Sequence, residues 1–421
     1  MRFIDLFAGL GGFHIALSRL GHHCVFASEI NKELAKLYEK NFEISNVHSD
    51  IKKVEEANIP HHDIMCAGFP CQPFSKAGKQ LGIVDSRGQF LEDFERILKY
   101  HKPKYFILEN VPHLRRHDRE NSWKALKETL ERCGYYLDDA ILSPHEFGIP
   151  QIRHRIYIVG SRHNLKHFKF PEKQKATNLN IRTILDKNPK ISRKMSTNQI
   201  NCVNLWQRII QEIPTKDPLP SFPVWGMEFG ATYPFEKKAP HAMSLLELRK
   251  YKGACGKPLS NAKTKSEALA MLPSYSRVKQ RKFPEWKIDY IKKNRQFYEK
   301  YKNIIQPHFN EIKKYPPSWQ KLEWNCQNEK RNIYNHIIQF RASGIRVKKS
   351  NYSPALVVNS TQLPIIGWEK RYLTKEEAAR LQDITEIELP ENNSVAFKAL
   401  GNAINVHIVN LIAKRLINQK G

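Results

Sequence analysis

An α/β fold with a mixed, mostly parallel sheet is predicted for this chain, on three observations. Short apolar runs alternate with amphipathic helical stretches over residues 1–160. The first junction between them is a glycine-rich turn, "AGLGG". The texture then changes after about residue 165, which predicts a second, smaller domain. Strand–helix alternation of this kind places helices on both faces of a parallel sheet.

The elements follow in order. "RFIDLF" (2–7) reads as a strand and "GFHIALSRLG" (12–21) as a helix, with Phe13, Ala16, Leu17 and Leu20 at helical spacing and Gly21 as its stop. "HCVFASEI" (23–30) is a strand, "KELAKLYEKNF" (32–42) a helix and "HDIMCAG" (62–68) a strand. An amphipathic helix over 88–103 is stopped by Pro103, a strand "YFILENV" (105–111) follows, then a helix over 122–135 and a strand over 154–162. Beyond residue 165, Lys, Asn, Pro and aromatic residues rise. Residues 287–309 read as a basic helix with interleaved aromatics, which is either a nucleic-acid surface or a solvated helix with an aromatic core stripe. "WGMEFGATYP" (225–234) is either a specificity loop or an aromatic turn in the small domain's core. Thr374 with Glu377 three residues on forms a capping box for a helix over 374–383. "GNAINVHIVNLIAKRL" (401–416) reads as a final apolar helix that returns the chain to its first domain. The predicted division is 1–165 plus 390–421 for the large domain and 166–389 for the small one.

Composition narrows the partners. Lys and Arg number 69 against 42 Asp and Glu, a net charge of +27. Residues 275–350 alone hold 19 Lys or Arg against 6 Asp or Glu. That excess favours a polyanion. The 7 cysteines form no C-x-x-C pair and their number is odd, so a reducing compartment is expected and no metal site. The first residues carry too short an apolar run for a signal peptide, and no apolar run of about 18 residues is expected to span a membrane.

Three stretches carry chemistry. In "DLFAGLGGFH" the glycines Gly9, Gly11 and Gly12 let the backbone turn sharply beside a ligand. The dinucleotide pattern G-x-G-x-x-G is incomplete, because His14 stands at its third glycine. Glu29, at the end of the next strand, stands where a carboxylate takes ribose hydroxyls, and Asp50 could accept from an adenine amino group or simply cap a helix. These features fit an adenosine-containing ligand without separating NAD from S-adenosylmethionine. In "GFPCQPFS" (68–75), Pro70 and Pro73 stiffen the chain around Cys71, either a buried turn thiol or an aimed nucleophile. Glu109 ends the strand 105–111. Gln151, Arg153 and Arg155 alternate, so in one strand they would share a face. A thiol, an acid and an arginine pair suit methylation at cytosine C5. The thiolate adds at C6, the acid serves N3, an arginine holds O2, and C5 becomes nucleophilic. The base must leave the duplex for this.

The sequence resembles the C5-cytosine DNA methyltransferases of bacterial restriction–modification systems. The blocks that carry the resemblance are "DLFAGLGG" (5–12), Glu29, Asp50, "GFPCQPFS", "DSRGQFL" (85–91), "ENV" (109–111), "QIRHR" (151–155), "RYLTKEEAARLQ" (371–382) and "GNAI" (401–404), in the family's order over about half the chain. The resemblance implies a Rossmann-like S-adenosylmethionine-dependent methyltransferase fold with a target-recognition domain. It implies Cys71 as nucleophile, Glu109 as the N3 acid, and Arg153 and Arg155 holding the base and the catalytic loop. It assigns Phe7, Gly9, Gly11, Glu29, Ile30, Asp50, Ile51, Pro70, Phe90 and Asn402 to the S-adenosyl-L-methionine pocket, and Ser75, Arg87 and Gln151 to DNA. The family's R-G-x-L-F reads Arg87-Gly88-Gln89-Phe90-Leu91 here, which alters local packing. The branch that methylates tRNA has a second proline before Pro-Cys-Gln and a Cys-Phe-Thr. Here Phe69 precedes Pro70, and no cysteine is followed by Phe-Thr. The expected partners are double-stranded DNA and a cognate restriction endonuclease that acts on the same site without a stable complex. A cytoplasmic monomer of bacterial or phage origin, off the membrane, is expected.

Overall fold

The computed structural model describes residues 1–45, 47–48, 50–69, 90–174, 178–356 and 362–418, apart from the side chains of 117–119. The chain forms two compact units: Met1–Pro189 with Asn351–Ser360 and Thr374–Gly421, and Lys190–Ser350 with Thr361–Leu373. Against the division expected at 165/166 and 389/390, residues 166–189, 351–360 and 374–389 group with the first unit. Side-chain pairs tie the first and last of these there. Arg380 meets Asp186 at 2.8 Å, Arg19 donates to Asp383 at 2.5 Å, and Lys40 donates to Glu388 at 2.6 Å.

The first unit is built on a six-stranded sheet. Its strands are β1 (Arg2–Leu6), β2 (His23–Ser28), β3 (Ile64–Gly68), β4 (Tyr105–Asn110), β5 (Tyr136–Leu142) and, after the two-residue β6 (Gln151–Ile152), β7 (Arg155–Ser161). The order across the sheet is β2-β1-β3-β4-β7-β5. Strands β2, β1, β3 and β4 pair in parallel, and β7 runs antiparallel to both of its neighbours. The chain leaves β1 toward β2 and returns on the other side to β3. The crevice at the carboxyl ends of β1 and β3 is therefore the switch point where open α/β sheets bind ligands. The helices α1 (Gly12–Ser18), α2 (Lys32–Phe42), α3 (Phe90–His101) and α4 (Asn121–Arg132) lie between strands as their apolar spacing dictates. The central strands are apolar because both faces are covered: Phe3, Ile4, Leu6, Ile64, Met65, Phe106 and Leu108 are fully buried.

One sequence expectation changes here. The stretch 401–416 is not one helix: Asn393–Asn402 ends before a break, and Val406–Ile417 follows, with Asn405 capping it through the Ile408 N–H. The stretch Asn393–Ile417 has the length and hydropathy of a membrane span, but it is broken between Asn402 and Val406 and most of it is buried inside the unit, as a core segment is. Asn410 donates to the Ala16 carbonyl of α1 at 3.0 Å, so the chain end does rejoin the first sheet. The capping box at Thr374 and Glu377 is formed, with both reciprocal bonds present.

The second unit carries its own six-stranded sheet, in the order Arg371–Tyr372, Ile365–Ile366, Ile337–Arg341, Gly344–Lys348, Lys321–Asn325 and Val224–Trp225. The single helix expected over 287–309 ends at Lys300: Glu285–Lys300 buries Lys287, Ile291, Asn294, Phe297 and Tyr298 as one stripe, and a separate short helix Lys302–Ile305 follows. Tyr298 stacks on Phe229 with ring centroids 5.2 Å apart. Phe297 and Tyr298 are therefore core, while Trp286 on the same helix is 56% exposed. "WGMEFGATYP" is core too: Glu228 is fully buried, accepts from Tyr275 Oη at 2.9 Å and from Tyr233, and pairs with Arg295 at 3.1 Å.

Candidate active site

The first corner of the site grows from the end of β1. Phe7, Gly9 and Gly11 all have left-handed backbone, with φ of 57°, 55° and 76°. Only glycine takes that region freely, so a phenylalanine there marks a backbone held by its surroundings. Above Gly9 there is room for a ligand: an added Cβ would meet only the Phe7 carbonyl, at 4.0 Å. Glu29 bridges the corner. One carboxylate oxygen accepts the Gly9 N–H at 2.8 Å and the other the Asn31 N–H at 2.8 Å. Each oxygen has a second lone pair, so the carboxylate can still receive two hydroxyls. Ile30 beside it is 72% exposed, an apolar side chain offered at the sheet edge. His14, which breaks the dinucleotide pattern, is a packed core histidine. It stacks on Phe42 at 3.9 Å and shares a 2.8 Å hydrogen bond with Tyr38, and burial pushes it down to about 4.

Asp50 is half-exposed and caps the short turn Ile51–Lys53 through the Lys52 N–H at 3.1 Å. The turn is carried by Arg96 of α3, whose guanidinium donates to the carbonyls of Ile51 and Val54. The Ile51 and Phe90 side chains go into the core, where Phe90 stacks on Phe69 at 4.2 Å. They can wall a pocket from beneath but do not project into it. Asn402 is exposed at the end of its helix.

The second corner centres on Glu109. In the register of β3 with β4, Gly68 lies opposite Glu109. A Cβ on Gly68 would meet Ile404 at 3.5 Å, Phe13 at 3.8 Å and Glu109 Oε2 at 4.0 Å. Four separate sequence blocks thus converge at Gly68. Glu109 is 5% exposed, and Arg155 Nε lies 2.9 Å from its Oε1. Burial pushes the Glu109 carboxyl above its ordinary range, and Arg155 and then Arg153 pull it back only in part.

The expected common face of Gln151, Arg153 and Arg155 is not formed. The strand breaks between Ile152 and Arg155, where the Arg153 N–H bonds the Ser143 hydroxyl at 2.9 Å and so leaves the ladder. Each residue then faces its own partner. Gln151 is fully buried and accepts from Gln382 at 2.8 Å. Arg153 is 2% exposed and donates to the carbonyls of Gly401 and Ala403 at 2.9 and 2.8 Å. Arg155 alone reaches Glu109. Two positioning residues had no sequence signal as such. Arg96 is one. Asn110 is the other: it is 1% exposed and donates to the Phe69 carbonyl at 3.1 Å, at the root of the segment that leads to Cys71. Its place beside Glu109 in "ENV" was the available hint. Pro70, Cys71, Ser75 and Arg87 lie outside the described residues.

This geometry has counterparts in known proteins. The sequence pattern of C-5 cytosine-specific DNA methylases matches residues 1–219. Type II methyltransferase M.HhaI of Haemophilus parahaemolyticus is 45% identical over 174 residues, 41% of this chain and 53% of that protein, so the match spans about half the relative's length. Type II methyltransferase M.AluI of Cellulosimicrobium cellulans is 28% identical over 495 aligned positions, 99% of this chain and 92% of that one. Among solved structures, Entamoeba histolytica methyltransferase EhMeth covers 100% of the chain and 99% of itself at 16% identity, with a TM-score of 0.54. That likeness supports the fold, a Rossmann-like methyltransferase sheet. With just over half of its length matched by the family pattern, the chain belongs to the C-5 cytosine-specific DNA methylases.

Proposed function

We propose that this protein is a DNA (cytosine-5-)-methyltransferase that modifies a cytosine flipped out of duplex DNA. The observation that carries the reading is the buried Glu109–Arg155 pair beside Gly68, three residues before Cys71. The open turn at Gly9, the Glu29 carboxylate and exposed Ile30 fit S-adenosyl-L-methionine: a hydroxyl acceptor, an apolar wall and a closely approachable backbone. When bound, that cofactor supplies an electrophilic methyl group.

The chain's own residues prepare the acceptor. The Cys71 thiolate forms a bond to C6, and the electron pair of the C5–C6 double bond becomes available at C5. Glu109, whose burial favours the protonated form, gives its proton to N3 and so spreads the developing charge. Arg155 holds Glu109 in place and, in this reading, is the guanidinium that takes the base oxygen O2. Arg153 acts one step away, clamping the Gly401–Ala403 backbone. After methylation a base takes the C5 proton, the C6–S bond breaks to release the thiolate, and N3 returns its proton to Glu109, which restores the aromatic ring.

The first unit holds this chemistry, and the second reads the DNA. The cofactor pocket is completed by Phe7, Gly11, Asp50, Pro70 and Asn402, and Ser75 and Arg87 contact phosphates. The relatives' designation as Type II methyltransferases supports a protective role beside a restriction endonuclease that recognises the same sequence. The protein acts as a cytoplasmic monomer in this reading. Bisulfite sequencing of DNA from cells expressing the chain tests it. Protected cytosines at one short recurring sequence are expected; uniform conversion would refute the activity.

A further inference from the structure

The second unit contains a hollow of about 640 Å³ walled by two short segments, 237–242 and 279–281. Lys237, Lys238, His241, Lys279 and Arg281 line it, with Gln280, and no acidic residue does. Lys238 is engaged by Glu247 at 3.0 Å. Lys237, Lys279 and Arg281 are exposed and form no ion pair among the described residues. The two walls are fixed to each other. The Ala239 N–H donates to the Arg281 carbonyl at 2.8 Å, and Ala239 and Phe283 are buried in one apolar cluster with Trp225 and Ile291. The charges are therefore gathered by a rigid backbone rather than by loose side chains.

Three unpaired cations around one hollow repel each other at ordinary ionic strength, where the screening length is about 8 Å. Such an arrangement is relieved by an anion of matching extent. The lining is dominated by four Lys and Arg side chains, the groups that most often contact phosphate, with Gln280 the one amide and His241 the one ring. That is the chemistry of backbone contact, which positions a duplex without reading its sequence.

We propose that this hollow is a phosphate-backbone docking site for duplex DNA, held by Lys237, Lys279 and Arg281. The inference rests on the reading of the protein as a DNA methyltransferase. Its partner is the sugar–phosphate backbone, so cognate and non-cognate duplexes should use it alike.

Binding of the full chain to 30-base-pair duplexes, with and without the methylated sequence, is measured by fluorescence anisotropy over a salt series. The K237A/K279A/R281A variant should bind both duplexes about 10–100-fold more weakly, and each lost contact should reduce the slope of log K against log salt by about 0.9. A K124A/K166A/K169A variant removes equal charge elsewhere and should keep most of the affinity. The charge-keeping K237R/K279R/R281K variant should recover binding, which separates charge from misfolding. The proposal is overturned if the triple alanine variant matches wild type or the charge control, if arginine and lysine replacement gives no recovery, or if the loss appears only with duplex RNA. Failure of the wild-type chain to methylate DNA at all would instead remove the underlying reading.

Discussion

At the scale of single residues, Glu109 sets a pH dependence with a definite sign. Its carboxyl is raised by burial and lowered by Arg155. It therefore keeps its proton above the ordinary glutamate value of about 4.3, and the rate should fall as pH rises through its folded-state pKa. Arg155→Gln removes the strongest lowering charge. The falling limb of kcat/KM against pH should then move to higher pH, while the rate itself drops. A limb that stays or moves down would remove Arg155 as the partner that tunes Glu109. Glu109→Gln should keep cofactor binding and lose about 10²–10⁴-fold in kcat, the usual share of a general acid. Asn110→Ala should leave the buried Phe69 carbonyl without its donor, at a cost of about 1–3 kcal/mol. It should lower kcat more than it raises KM, because the root of the Cys71 segment is loosened. The reacting groups were legible in the sequence because a cysteine between prolines and an acid at a strand end are uncommon and specific. Asn110 and Arg96 were not, since donating to a carbonyl leaves no mark until the carbonyl's owner is known.

At the scale of elements, close packing links distant blocks. A Cβ on Gly12 would come within 2.5 Å of Ile404 Cγ1. Gly12→Ala should destabilise the first unit by about 1–3 kcal/mol, as overpacking does. Adding Ile404→Ala should return part of that loss, and a thermal-melt double-mutant cycle would show it as a non-additive term. In the second unit, Arg295 is the guanidinium that balances buried Glu228. Arg295→Ala should lower its stability by about 3–5 kcal/mol, and Glu228→Gln in that background should recover part. Helix α2 was readable to its ends because Asn31 caps it and its apolar spacing is regular. Strand β5 was missed: it is a sheet edge, half-exposed, with Asp138 and Asp139 in the middle of an otherwise apolar run. The strand drawn through 151–155 was over-read, because alternation alone cannot reveal that Ser143 takes the Arg153 N–H out of the ladder.

At the scale of the whole molecule, the charge of +27 makes the interaction with DNA an electrolyte problem. The limits of the units were less legible than their existence. Arg19 and Lys40 tie Asp383 and Glu388 to the first unit, and Arg380 ties Ile184 to the segment after Thr374, through pairs far apart in sequence that no change of composition marks. The recognition sequence stays unread for the same reason: base contacts come from side chains whose placement on DNA has no periodic signature. The central claim, a thiolate of Cys71 working beside a proton on Glu109, is tested most directly with a duplex carrying 5-fluorocytosine at the target base and S-adenosylmethionine present. The fluorine cannot leave as a proton does, so the adduct should persist and mass spectrometry should map it to Cys71. A Cys71→Ser variant that still forms the adduct, or a wild-type chain that methylates DNA without ever trapping one, would contradict the account.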